Sequence, residues 1–134
     1  MAVRPLRVLC VEDQEILGDV MLCLLAQAGH WVEHVGDGLD AWDKISSDLA
    51  NFDVVITGHL MPRLNGLDLV ELLHEAAFPG QIILYTAGVD HETAERYRAL
   101  GVNAIIAKSA RAEELQRAVE ATRRVERVIA RNVR

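Results

Sequence analysis

Apolar runs and apolar periodicities alternate along the chain five times. LRVLCV, residues 6–11, is a β-rich run that stops at the acidic pair Glu12-Asp13. Ile16, Leu17, Val20, Met21, Leu24 and Leu25 then recur at the spacing of one helix face, and Gly29 predicts that helix's end. WVEHV (31–35) reads as a strand, and Leu39, Trp42, Ile45 and Leu49 mark a helix over 38–50. FDVVIT (52–57) is too uniformly apolar for a half-exposed strand. Leu67, Val70 and Leu73 predict a helix over 65–77, and Pro79-Gly80 a turn into the strand QIILYT, 81–86. Ala94, Tyr97 and Leu100 predict a helix over 90–100, closed by Gly101. NAIIA (103–107) reads as a fifth strand, and a last helix runs from about Arg111 past Val128.

Strand and helix in strict alternation predict an α/β fold, a parallel sheet covered on both faces. Right-handed crossovers leave few topologies. Such sheets place ligand chemistry at the carboxyl ends of the strands. The residues there are Glu12-Asp13, Gly58, Thr86-Ala87 and Lys108-Ser109.

The 134-residue length predicts one domain, 1–134, with a core over about 5–122 and the last helix extended to about 131. A net charge of −6 argues against direct nucleic-acid binding. The charge is uneven: seven Arg and four Glu from Arg111 onward give +3, leaving −9 on residues 1–110. Glu113–Arg117 and Glu120–Arg124 stand at i, i+4, the spacing of a solvated helix face. Val125, Val128, Ile129 and Val133 carry an apolar stripe past the length a sheet-packing helix needs, which suits a dimer seam or the start of a signalling helix. Cys10 and Cys23 lie in apolar runs and are expected as buried free thiols. His30 and His34 are expected to be exposed at a strand edge, without metal-ligand spacing to another His or Cys. No apolar run reaches membrane-spanning length and no signal peptide is recognisable, so the expected location is the cytoplasm.

Adjacent carboxylates at a strand end offer hard oxygen ligands of the kind Mg²⁺ takes. A hydroxyl and an ammonium converging from neighbouring strands suit a phosphoryl group. Thr86 and Lys108 supply them, yet position 58, where the middle strand would present an acceptor, is Gly. His59 next to it points elsewhere by strand alternation and is not expected to substitute.

VLCVED, DVVITGHLMPRLNG, IILYTAG and ALGVNAIIAK, in this order on a five-fold alternation, resemble a response-regulator receiver domain of two-component signalling. The resemblance implies a flavodoxin-like, doubly wound five-stranded parallel sheet of order 2-1-3-4-5, flanked by five helices. By position it implies Asp13 as a direct Mg²⁺ ligand, Glu12 as a ligand through water, and the Leu60 carbonyl as the main-chain ligand. It implies Thr86, with Ala87 beside it, and Lys108 at the phosphoryl site, and Thr86 and Ile105 as the switch positions. Gly58 falls on the phosphoacceptor Asp, either as a natural departure or as an engineered Asp→Gly change; the expected consequences are no phosphorylation, weakened Mg²⁺ binding and a Lys108 free to turn to Asp13. Ile105 stands where Tyr or Phe is usual, and Ser109 where Pro usually follows the Lys, so no cis bond is expected there.

The implied activity is signalling by protein contact, not catalysis. Expected partners are a sensor histidine kinase, a phosphotransfer protein or a downstream protein, together with a homodimer through the last two helices. Two alternatives stand beside it. One is a phosphorylation-independent interaction module. The other is a flavodoxin-like small-ligand binder, against which the acidic VEDQE after the first strand argues, since it repels phosphate.

Overall fold

The predicted alternation is present in the structure, a computed structural model that describes residues 4–133, with side chains through Arg123. The strands are β1 (Arg7–Val11), β2 (Trp31–Val35), β3 (Val54–Thr57), β4 (Gln81–Thr86) and β5 (Ala104–Ala107). The helices are α1 (Glu15–Gln27), α2 (Gly38–Ser46), α3 (Gly66–Glu75), α4 (His91–Ala99) and α5 (Ala112–Val133). All strand pairs are parallel, in the order β2-β1-β3-β4-β5. None of the helices, over the described residues, is long and apolar enough to cross a membrane.

Strand alternation divides the core in two. Leu9, Val11, Val55, Ile82 and Leu84 face one way, onto Ala41, Ile45, Leu69, Val70, Leu73 and Tyr97 of α2, α3 and α4. Val8, Cys10, Val54, Ile56, Ile83 and Tyr85 face the other way, onto Met21, Leu25, Leu115 and Val119 of α1 and α5. Side chains buried on both faces are why the central strands carry no polar alternation. The helices begin where a side chain satisfies free backbone donors: Asp37, Asn65 and Asp90 accept from the amides of Asp40, Asp68 and Thr93. Gly29 and Gly101 follow α1 and α4 at φ +93° and +91°, the left-handed turn that ends a helix.

Several expectations are corrected. α2 stops at Ser46 rather than 50, although Leu49 still packs on the core. The six-residue face of α1 is not one buried face: Met21 and Leu25 are buried, but Ile16 is 81% and Val20 55% exposed. Cys23 lies on this outer side and is exposed; Cys10 is buried, and burial together with Glu12 pushes its thiol up to about 12. The histidines are not at an exposed edge. His34 is half-buried; its Nε2 donates to the Glu12 carbonyl at 2.7 Å, and a Cβ on Gly18 would strike its ring. Glu120 is engaged by Arg123 at 2.8 Å and by His30 at 3.0 Å; the side chain of Arg124, its expected partner, lies like the 125–133 stripe outside the described residues.

His30 joins three elements, and its side chain is only 2% exposed. The Leu6 amide donates to its Nδ1 at 3.2 Å, so Nε2 carries the ring proton and gives it to Glu120 of α5. Burial is the main influence holding the His30 pKa below its usual 6.5, with Arg123 acting in the same direction and Glu120 against it. The fold thus favours neutral His30. That contribution is complete above the unfolded value and is lost as pH falls from about 6.5 toward the folded value. Urea melts at about pH 7.5 and about pH 5.5 should show the chain losing more stability over that step than its His30→Gln variant. Equal losses would mean that His30 does not anchor α5 through its neutral form.

Candidate functional site

The strand ends are laced together before any side chain acts. The Gly58 amide donates to the Val11 carbonyl at 3.1 Å, and the Lys108 amide to the Thr86 carbonyl at 2.9 Å. The residues predicted to form the site therefore converge at one edge of the sheet. Glu12 follows β1, Gly58 follows β3, Thr86 ends β4 and Lys108 follows β5.

Lys108 does not turn to Asp13, as expected from the sequence. Its Nζ lies 2.7 Å from Oε1 of Glu12, whose side chain is 2% exposed against 24% for Lys108. Oε2 of Glu12 accepts the Gln14 amide at 3.0 Å, so both carboxylate oxygens are bound. The sheet order gives this pair its meaning. A β5 residue meeting a β1 residue must reach across the ends of β4 and β3, three strand spacings or roughly 14 Å between backbones. Gly58 follows β3, one of the two strands in between, and has no side chain. The Tyr85 ring lies within the influence of both charges: burial raises its pKa, Lys108 lowers it and Glu12 raises it.

Gly58 is not a glycine the backbone requires. Its φ lies outside the left-handed region, and an added Cβ would meet Met61 Cγ and Sδ at 3.7 Å and the Tyr85 carbonyl at 3.9 Å, ordinary contacts. Gly66 differs: a Cβ there would strike the Gly58 carbonyl and the Tyr97 hydroxyl. Met61 packs against the α2–α4 side of the core and approaches the Thr57 hydroxyl at 3.9 Å.

The other predicted positions are less closely joined. Asp13 and Ala87 are exposed, and the Leu60 residue is 79% exposed. Thr86 is buried, but its hydroxyl serves its own loop, accepting from the Gly88 amide at 3.3 Å and donating to the Gly88 carbonyl at 3.4 Å. Ile105 is half-buried against the α2–α4 cluster. No cis peptide bond occurs among the described residues.

The donor set does not suit Mg²⁺. That ion asks for about six oxygens in octahedral array. Gly58 offers no carboxylate, and Glu12 is already neutralised by Lys108. Among the described residues no group of three or more His, Cys, Asp or Glu could hold a metal ion.

Two contacts at this edge were not anticipated from the sequence. His59 Nδ1 and the Tyr97 hydroxyl are 2.6 Å apart, with the rings edge to face at 5.6 Å and 76°. The residue after position 58 is thus fastened to α4. Burial raises the Tyr97 pKa far above its usual value. Tyr97 was legible as a core residue; the missing step was that a buried phenol needs a partner. Farther along the β3–α3 loop, Arg63 at φ +65° pairs with Asp37 at 3.1 Å and Asp40 at 2.7 Å, while Gly38 of α2 lies against the Leu64 carbonyl with no room for a Cβ.

Comparison with known proteins identifies the family and the fold. The family model described as response regulator receiver domain matches residues 8–120. The transcriptional regulatory protein DltR of Streptococcus agalactiae is 30% identical over 110 residues, 82% of this chain and 48% of DltR. Transcription factor SKN7 of Chaetomium thermophilum is 28% identical over 102 residues, 76% of this chain and 13% of SKN7. The chain therefore spans half or less of the length of these relatives. Among solved structures, the signal receiver domain of a LuxO repressor protein from Vibrio parahaemolyticus superposes with a TM-score of 0.84 over 97% of each chain at 22% identity. Chemotaxis protein CheY4 of Vibrio cholerae gives 0.80 over 89% of this chain and 99% of its own, at 25% identity. The chain belongs to the response regulator receiver domain family of two-component systems, with the flavodoxin-like fold of that family.

Proposed function

We propose that this receiver works by protein contact without being phosphorylated at position 58. The observation that carries the reading is the Lys108–Glu12 ion pair at the strand ends, at an edge where position 58 has no side chain. The Lys that would meet a phosphoryl group is held by a carboxylate, and the carboxylate that would serve a metal is held by the Lys. Thr86 is engaged with Gly88, and Ile105 is packed on the core, so the switch positions rest in one arrangement. Without a ligand that binds two states differently, no population shift follows. The partners are a sensor kinase, a phosphotransfer protein or a downstream protein in the cytoplasm, and the chain performs no catalysis.

Incubation with acetyl phosphate and Mg²⁺ should leave the intact mass unchanged, whereas Gly58→Asp should gain an alkali-labile phosphoryl group. The room at position 58 favours the second result. Good labelling of the unaltered chain would overturn the proposal. A folded Gly58→Asp variant that fails to label would mean that the pocket has diverged beyond one residue.

Mg²⁺ should raise the urea midpoint of Gly58→Asp and leave that of the unaltered chain nearly unchanged, because only a bound native state is stabilised by linkage. Without Mg²⁺ the unaltered chain should be at least as stable as Gly58→Asp, since like charges gathered at one strand edge oppose one another.

Lys108→Met leaves the buried Glu12 carboxylate without its counter-charge. The expected loss is about 3 kcal/mol, the low end for a broken buried pair because Lys108 is partly exposed. Glu12→Gln combined with Lys108→Met should recover part of that loss in the same urea melts. Additive losses would show that the two groups act independently.

A further inference from the structure

The outer side of α1 is apolar in a way that its own fold does not use. Gly18, Met21 and Leu25 are the buried residues of this helix. Ile16, Val20, Cys23 and Gln27 stand on the opposite side at steps of four, three and four, the spacing of a two-helix seam. The first three are exposed and apolar, and together with Leu24 and Asp19 they line one shallow groove. The charges within α1, Glu15 and Asp19, are both acidic. Two copies of this face would repel one another, so the surface asks for a basic helix.

The chain carries such a helix. Among the described side chains Thr122 is the last buried one of α5, and the helix continues to Val133. The sequence after Thr122 holds five Arg and one Glu, with Val125, Val128, Ile129 and Val133 at helical spacing. These eleven residues of helix and the eleven steps from Ile16 to Gln27 each span about 16 Å. The Gln116 amide, 3.5 Å from the Leu24 carbonyl, holds α5 beside the end of α1. The family match ends at residue 120, before this stripe begins.

We propose that two copies of this chain form a closed two-fold dimer in which the basic end of α5 from each copy lies on the α1 groove of the other. Length, apolar spacing and opposite charge match between the two surfaces. A reciprocal exchange buries both grooves at once, as an isologous interface requires.

Sedimentation of the full chain should show a monomer–dimer equilibrium that weakens at high salt. Ile16→Glu and Val20→Glu change exposed positions and should leave the circular dichroism spectrum intact. Each should raise the dissociation constant about tenfold or more, because a carboxylate would have to be buried without a partner. Arg127→Glu should do the same. Contact between the two surfaces is read by mixing the unaltered chain, whose Cys23 is exposed and Cys10 buried, with a Cys23→Ser, Arg127→Cys variant under mild oxidation. A disulfide-linked dimer containing one of each is expected. A chain that stays monomeric at every concentration would overturn the proposal. So would crosslinking of the unaltered chain to itself through Cys23, which places α1 on α1. Crosslinking only within the variant would also overturn it, as it places α5 on α5.

Discussion

The ion pair between Lys108 and Glu12 organises the carboxyl edge of this sheet. It joins the loop after β5 to the loop after β1 and passes over the two strands between them. A pair so little exposed is held by mutual dependence more than by net attraction. Removing either member strands the other, while the cost of desolvating both offsets much of the Coulomb gain. The surrounding geometry accommodates it: Gln14 donates to the second oxygen of Glu12, and His34 takes the carbonyl of the same residue. Glu12 is thereby fixed through both its side chain and its backbone. At this edge of the sheet the Glu12 carboxylate serves as a structural joint between the two loops.

Most of the fold was legible because its main constraint is written locally. Strands buried on both faces must be apolar in the main, as VVIT and QIILYT are, and the helices between them show their inward face at regular spacing. What misled the reading was a helix with more apolar surface than the core consumes. Periodicity places Ile16 and Val20 beside Leu17 and Met21, and it cannot say which side of a broad stripe meets the sheet. Cys23 went wrong for the same reason. His30 and His34 went wrong for another: a polar ring can turn inward when its nitrogens find partners, and those partners, Leu6 and Glu120 for His30 and Glu12 for His34, are distant in sequence.

At the site the sequence identified the edge and its members but not their pairing. That Glu12, Gly58, Thr86 and Lys108 lie at adjoining strand ends follows from order and register alone. That Lys108 meets Glu12 rather than Asp13 depends on burial. Glu12 lies inside, where an unpaired carboxylate is costly, and Asp13 lies in water, where it needs no partner. The His59–Tyr97 contact was invisible for a related reason, since the demand for it comes from the depth at which the Tyr97 hydroxyl ends.

The loop between β3 and α3 is fastened at both ends of its course. His59 is tied to α4, and Arg63, in a backbone conformation that few non-glycine residues adopt, is clamped by two carboxylates of the α2 start. A loop held in this way has little disorder left to lose when another protein settles on it. Recognition there would proceed close to lock-and-key, with a small entropic penalty on association. Sequence changes in a partner would then register mainly in how long the complex lasts, and less in how quickly it forms.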